Sequence, residues 1–210
     1  MKVRGIAILC LLALMSVPAL AQHEHGTKPP EGKPPEGGMP AMDSPEMQAA
    51  MAAMAPGPEH KNLARMTGDW TFTNKMWMDP SAPPAEGSGT VHAEMILGGR
   101  YVHSVWKGNF MGMPFEGHGT DGYDNITKKH VSSWVDNMST AIMYSTGTCE
   151  QNGKVCTSTS QEMLDPMTGK MTSFRSVVTW TGDNSFKMEM YAKPAGGTEM
   201  KGMEMTVTKK

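Results

Sequence analysis

From Gly68 to the C-terminus the sequence alternates with a period of two, and no long helical pattern interrupts it. That regularity constrains the fold more than any other feature. Trp70, Phe72 and Met76 alternate with Thr71, Thr73 and Lys75, giving an extended segment one apolar and one polar face. Similar runs follow near residues 89–97, 100–107, 115–123, 129–136, 140–149, 154–163, 171–180, 185–192 and 202–208, about ten short strands in all. Gly98-Gly99, Asn152-Gly153 and Asp183-Asn184 mark tight turns, while the segments 165–169 and 194–197 mark longer loops. The expected fold is all-β. Sequential antiparallel strands joined by hairpins close into an up-and-down β-barrel, which removes exposed edges; two packed sheets are the alternative. Asp121, Asp124 and Asp136 fall near strand ends in this reading and are expected to form turns.

Two hairpins fix registers. With Asn152-Gly153 as a two-residue loop, Gln151 pairs with Lys154, Glu150 with Val155, and Cys149 lies opposite Cys156. Directly opposed residues have Cα atoms ~4.5–5.5 Å apart, within disulfide range, so a Cys149–Cys156 bridge is expected. Around Gly98-Gly99, Leu97 faces Arg100, Met95 faces Val102, Ala93 faces Ser104 and Val91 faces Trp106, a largely apolar set assigned to the interior. The other face pairs Ile96 with Tyr101, Glu94 with His103 and His92 with Val105. His92, Glu94 and His103 therefore cluster outside, either as three ligands for zinc or copper or as a solvated face with a Glu–His contact.

The N-terminal part reads differently. Lys2 and Arg4, the apolar run from Ile6 to Met15 and the small residues Ala19-Leu20-Ala21 form a secretory signal over 1–21, cut before Gln22. The product is expected to be exported, to the periplasm or outside the cell, where disulfides persist. The run is too short to span a bilayer and nothing later approaches the necessary ~20 residues, so no membrane span is expected. Over 22–43, Lys28-Pro29-Pro30-Glu31-Gly32 repeats as Lys33-Pro34-Pro35-Glu36-Gly37, a disordered Pro/Gly-rich linker. Over 44–55, Ser44 as N-cap, Pro45 at the first position and Met47, Ala50, Met51 and Met54 at helical spacing predict a short Met-rich helix, ended by Pro56-Gly57-Pro58. The barrel domain occupies 56–210.

Composition narrows the function. Nineteen basic against twenty-one acidic residues leave no electrostatic footprint for nucleic acid. At 210 residues the chain falls short of the roughly 250 of a (β/α)8 barrel enzyme. Serine elbows, phosphate loops, His-Glu-x-x-His and Cys-x-x-Cys patterns are all missing, so no catalytic residue is assigned. The leading expectation is non-catalytic binding of a small hydrophobic molecule in a lumen lined by Trp70, Phe72, Met76, Met95, Val102 and Trp106, unless those side chains simply fill the core. The alternative is copper or silver binding by the arm, through His23 and His25 with Met39, Met42, Met47, Met51, Met54 and His60.

Several strings, in order from about Pro56 to the C-terminus, carry a resemblance: Pro56-Gly57-Pro58-Glu59-His60, Gly68-Asp69-Trp70, Met76-Trp77-Met78-Asp79-Pro80, Ile96-Leu97-Gly98-Gly99-Arg100-Tyr101, Gly112-Met113-Pro114-Phe115-Glu116-Gly117, Gly122-Tyr123-Asp124-Asn125 and Trp134-Val135-Asp136-Asn137-Met138. Together they resemble the bacterial domain-of-unknown-function family 1579, which is similar to the calycins, the lipocalin-like barrels. Gly68-Asp69-Trp70 also resembles the lipocalin Gly-x-Trp signature. The resemblance implies a barrel and carries no catalytic residue onto this chain. A haem-binding barrel, as in nitrobindin-like calycins, is a further variant; it requires an inward His, which leaves His118 and His130 as candidates.

Overall fold

The computed structural model describes residues 40–110, 112–165 and 168–210. The segment 1–21, most of the stretch 22–43, and with them His23, His25 and Met39, lie outside the described residues. Helix α1 (Pro45–Met54) starts where the capping signal places it, with the Met47 N–H donating to Ser44 Oγ at 3.2 Å. A second helix, α2 (Pro58–Leu63), and a 3-10 turn (Ala64–Met66) follow, which the periodicity did not predict. Helix α2 is too short to show a helical repeat. Its start is fixed by Pro58 at the first position and by the Gly57 N–H donating to His60 Nδ1 at 3.0 Å.

Among the described residues eleven strands follow: β1 (Gly68–Met76), β2 (Ala85–Ile96), β3 (Tyr101–Phe110), β4 (Met113–Asp124), β5 (Lys129–Asp136), β6 (Met143–Glu150), β7 (Val155–Ser160), β8 (Met163–Leu164), β9 (Met171–Gly182), β10 (Ser185–Pro194) and β11 (Met200–Lys209). Ten of them close a single antiparallel barrel. Each pairs with its neighbours in sequence, β7 steps over β8 to β9, and β11 returns to β1. Strand β8 is an extra two-residue strand on the start of β9, the remnant of the longer run expected over 154–163. Closure decides against two packed sheets, because the β11–β1 ladder runs from Trp70↔Lys209 to Met76↔Met203 and leaves neither strand an open edge.

Both predicted registers hold. Val91↔Trp106, Ala93↔Ser104 and Met95↔Val102 are paired, with Val91, Ala93, Val102 and Ser104 buried and His92 and Glu94 exposed. Cys149 pairs with Cys156 and the two form a disulfide. The turns are wider than two residues, however. Leu97–Arg100 and Gln151–Lys154 both loop out, and Gln151, Asn152 and Gly153 all adopt positive φ.

One end of the barrel is closed by α2 and the 3-10 turn. Leu63 packs on Ala93 and Val102, with Met66, Met95 and Tyr123 around them. Next to this plug, Trp70 meets Trp180 and Phe186 edge to face and those two rings meet tilted, with ring centres 5.2–6.2 Å apart, the heart of the core. Trp70 Nε1–H donates to the Met66 carbonyl at 2.9 Å, and the Arg65 guanidinium covers Trp180 at 4.1 Å. Lys209, the β11 partner of Trp70, places its ammonium 5.2 Å from the Trp70 ring.

A two-sided cavity inside the barrel

Closing ten strands leaves space that the side chains do not fill. A cavity of about 620 Å³ runs through the barrel, bordered by residues of every barrel strand but β2 and by the plug. Its walls differ in chemistry because each strand contributes every second residue. On the β1–β11–β10 side, Met76, Met203, Met205, Met188 and Met190 stand in register, Met76↔Met203↔Met190 and Met205↔Met188, continued by Phe72, Phe186 and Val178. Five thioethers on adjacent inward positions make a soft, polarisable apolar wall.

The opposite wall, on β4 to β7, carries small and polar residues. Gly119, Asp121, His130, Ser132, Ser145, Gly147 and Ser158 border the cavity there. Glycine on β4 has a steric reason. A Cβ at Gly117 would lie 2.3 Å from Trp134 Cζ2, so the indole lies flat against bare backbone and leaves the lumen open. Trp134 is held in place by donating from Nε1 to Asp136 at 2.7 Å and by stacking on Phe115 and meeting Trp106 edge-on.

Asp121 is the residue the sequence misplaced. It is not at a turn but inside β4, opposite Val102 on β3 and Ser132 on β5, and it borders the cavity. Burial pushes its carboxyl up from 3.8 to about 6. Among the described residues nothing donates a hydrogen bond to it. Asp124 does form the expected turn, accepting from the Ile126 N–H and Thr127 hydroxyl, and Asp136 accepts from Trp134 and from the Met138 N–H. No sequence signal separated Asp121 from them, because Gly117-His118-Gly119-Thr120-Asp121-Gly122 has no apolar alternation from which to read a face.

Of the six residues assigned to the lumen, Phe72, Met76 and Trp106 border the cavity. Trp70, Val102 and Met95 lie instead in the packed core beneath it, against Trp180, Phe186 and Leu63. They sit at the plugged end, where helix α2, invisible to periodicity, fills the space. The Met wall was within reach of sequence, since Met188/Met190 and Met203/Met205 each alternate at two-residue spacing.

The histidines disperse. His92 Nδ1 meets Asp69 at 2.8 Å, while His103 turns to Thr120 and to the His118 ring, whose Nε2 is 3.0 Å from Glu116. His92, Glu94 and His103 share the outer face as the register predicts, with Glu94 opposite His103, but among the described residues no group of three His, Cys, Asp or Glu is arranged to hold a metal. His92 and His103 are drawn to separate partners on β1 and β4. Of the two candidate inward histidines, His118 lies outside and His130 borders the cavity. The His130 ring stands 5.1 Å from Tyr123, and burial lowers its pKa against the opposing pull of Glu59. Haem fits this lumen poorly. The charged residues that line it are mostly acidic, Glu59, Asp121, Asp136 and Asp165 against Arg65 and His130, a poor match for two anionic propionates.

The family described as "Protein of unknown function (DUF1579)" matches residues 55–209. This chain belongs to that family. The DUF1579 barrel is similar in fold to the crystal structure of Rv2717c from M. tuberculosis, at 13% identity and a TM-score of 0.57, covering 74% of this chain and 99% of that one. A redesigned β-barrel is more distant, at 12% identity and a TM-score of 0.37 over 70% of this chain and 94% of its own. No curated protein matches the DUF1579 chain. Among its described residues no helix is long and apolar enough to cross a membrane.

Proposed function

We propose that this protein is an exported, non-catalytic carrier or sensor that binds a small, largely hydrophobic molecule inside its barrel. One observation carries the reading: a cavity of about 620 Å³ with a continuous thioether and aromatic wall, within the range of small-molecule sites. An apolar cavity of this size is costly to leave unfilled, since its lining forgoes contacts that a ligand restores. The Cys149–Cys156 bridge and the signal-like residues 1–21 support export. The test is native mass spectrometry of the protein from its own exported fraction, followed by denaturation. The expected result is a stoichiometric organic mass released on unfolding. A bare polypeptide that also fails to take up an apolar fluorophore refutes the reading.

A second reading, Cu(I) or Ag(I) binding by the N-terminal arm, gains support from α1. That helix buries none of its residues, and Met51 and Met54 are 51% and 62% exposed, so its thioethers are not spent on packing. Loss of Cu(I) binding on deleting residues 22–55 is the expected result; unchanged binding refutes it.

A further inference from the structure

The lumen is not a uniform apolar bag, and its asymmetry bears on what it holds. Strands β4 and β5 lie across the ten-strand ring from β10 and β11. The Met wall and the Asp121–Ser132 pair therefore lie on opposite sides of the cavity. The described charged side chains that border it are Glu59, Asp121, Asp136 and Asp165 against Arg65, with no lysine. Arg65 is committed to the face of Trp180. Asp136 is committed to Trp134 and Met138, and Glu59 accepts from Asn62. Asp121 alone of these four faces a site without a partner that any described residue supplies. A buried carboxylate in that state is a standing cost, which a ligand cation removes.

The surroundings of Asp121 match the same ligand chemistry. Ser132, its cross-strand neighbour, supplies a hydroxyl that can accept from a second N–H. The Trp134 indole, opposite Gly119 and two positions along each strand, lies over Gly119 and Gly117 and adds aromatic carbon to the same side of the cavity. A carboxylate left without a cationic partner on a cavity wall selects a cation over an anion.

We propose that the ligand is an amphiphile with a protonated amine head, whose ammonium group binds Asp121 while its hydrocarbon tail lies along the Met wall. The assignment rests on the carrier reading above and names the class of its ligand. The same charge pattern disfavours fatty acids, whose carboxylate would be brought to an acidic wall.

Three probes with one tail test it: dodecylamine, dodecanol and dodecanoate, each titrated into the full chain below its micelle concentration and followed by calorimetry and tryptophan fluorescence. The expected order is amine, then alcohol, then carboxylate. Asp121→Asn is expected to weaken the amine about tenfold or more and to leave the alcohol within about threefold. Asp121→Glu, which keeps the charge, is expected to retain the preference for amine, and so guards against a folding defect in the amide variant. If dodecanoate binds as well as dodecylamine, or if Asp121→Asn leaves the amine unaffected, the head-group assignment fails while the carrier reading stands. If none of the three binds, both fail.

Discussion

Replacing Asp121 by Asn changes one atom of the side chain and removes its titration, and the structure fixes the sign and size of the consequence. In the folded chain burial raises the Asp121 carboxyl from 3.8 to about 6. Between those values the folded state holds a proton that the unfolded chain has released, so folding stability falls as pH rises through the window. The loss is complete above about pH 6 and amounts to roughly 3 kcal/mol, at 1.36 kcal/mol for each unit of difference. The amide has no charge to desolvate. Asp121→Asn is therefore expected to match the parent near pH 4 and to exceed it by about 3 kcal/mol at pH 7.5, or about 6–12 °C in Tm for a domain of this size. The assay is urea and thermal unfolding of both proteins, stripped of ligand, at half-unit steps from pH 4 to 8. Burial also lowers the pKa of His130, which is common to both chains and is expected to cancel in the difference. Parallel profiles, or a variant less stable at neutral pH, would refute the argument and mean that the carboxylate has a partner. A ligand carrying a cation reverses the ranking, because only the parent gains from it.

Two further predictions follow from the same walls. Gly117→Ala sets a methyl 2.3 Å from the Trp134 ring, against a strand and a large side chain that have little room to yield. It is expected to lower stability by about 1–3 kcal/mol in urea unfolding and to weaken probe uptake by driving the indole into the lumen; unchanged stability would contradict the flat placement of Trp134. Replacing Cys149 and Cys156 together by Ser opens a loop closed over a separation of seven residues. The expected loss is about 2 kcal/mol with the barrel still folded by circular dichroism, and a collapse of the fold would show that the bridge does more than restrict the unfolded chain.

What local sequence determined is what local physics determines. A side-chain period of two fixed which face of β2 and β3 points inward, because turns and alternation together leave only one register that buries Val91, Ala93 and Val102. The Asn152-Gly153 turn set Cys149 against Cys156 in the same way. The helix cap at Ser44-Pro45 was also legible, since it needs only neighbouring residues. Closure, by contrast, joins β1 to β11 across more than a hundred residues, and no local pattern encodes how wide the resulting ring is or how much of it the side chains fill. The cavity exists because ten strands set the diameter while Gly119, Gly147 and several serines supply too little volume to occupy it. For the same reason the role of Asp121 stayed hidden. An aspartate among glycines reads as a turn until the tertiary structure puts it inside a strand, on the wall of a cavity whose other side is methionine.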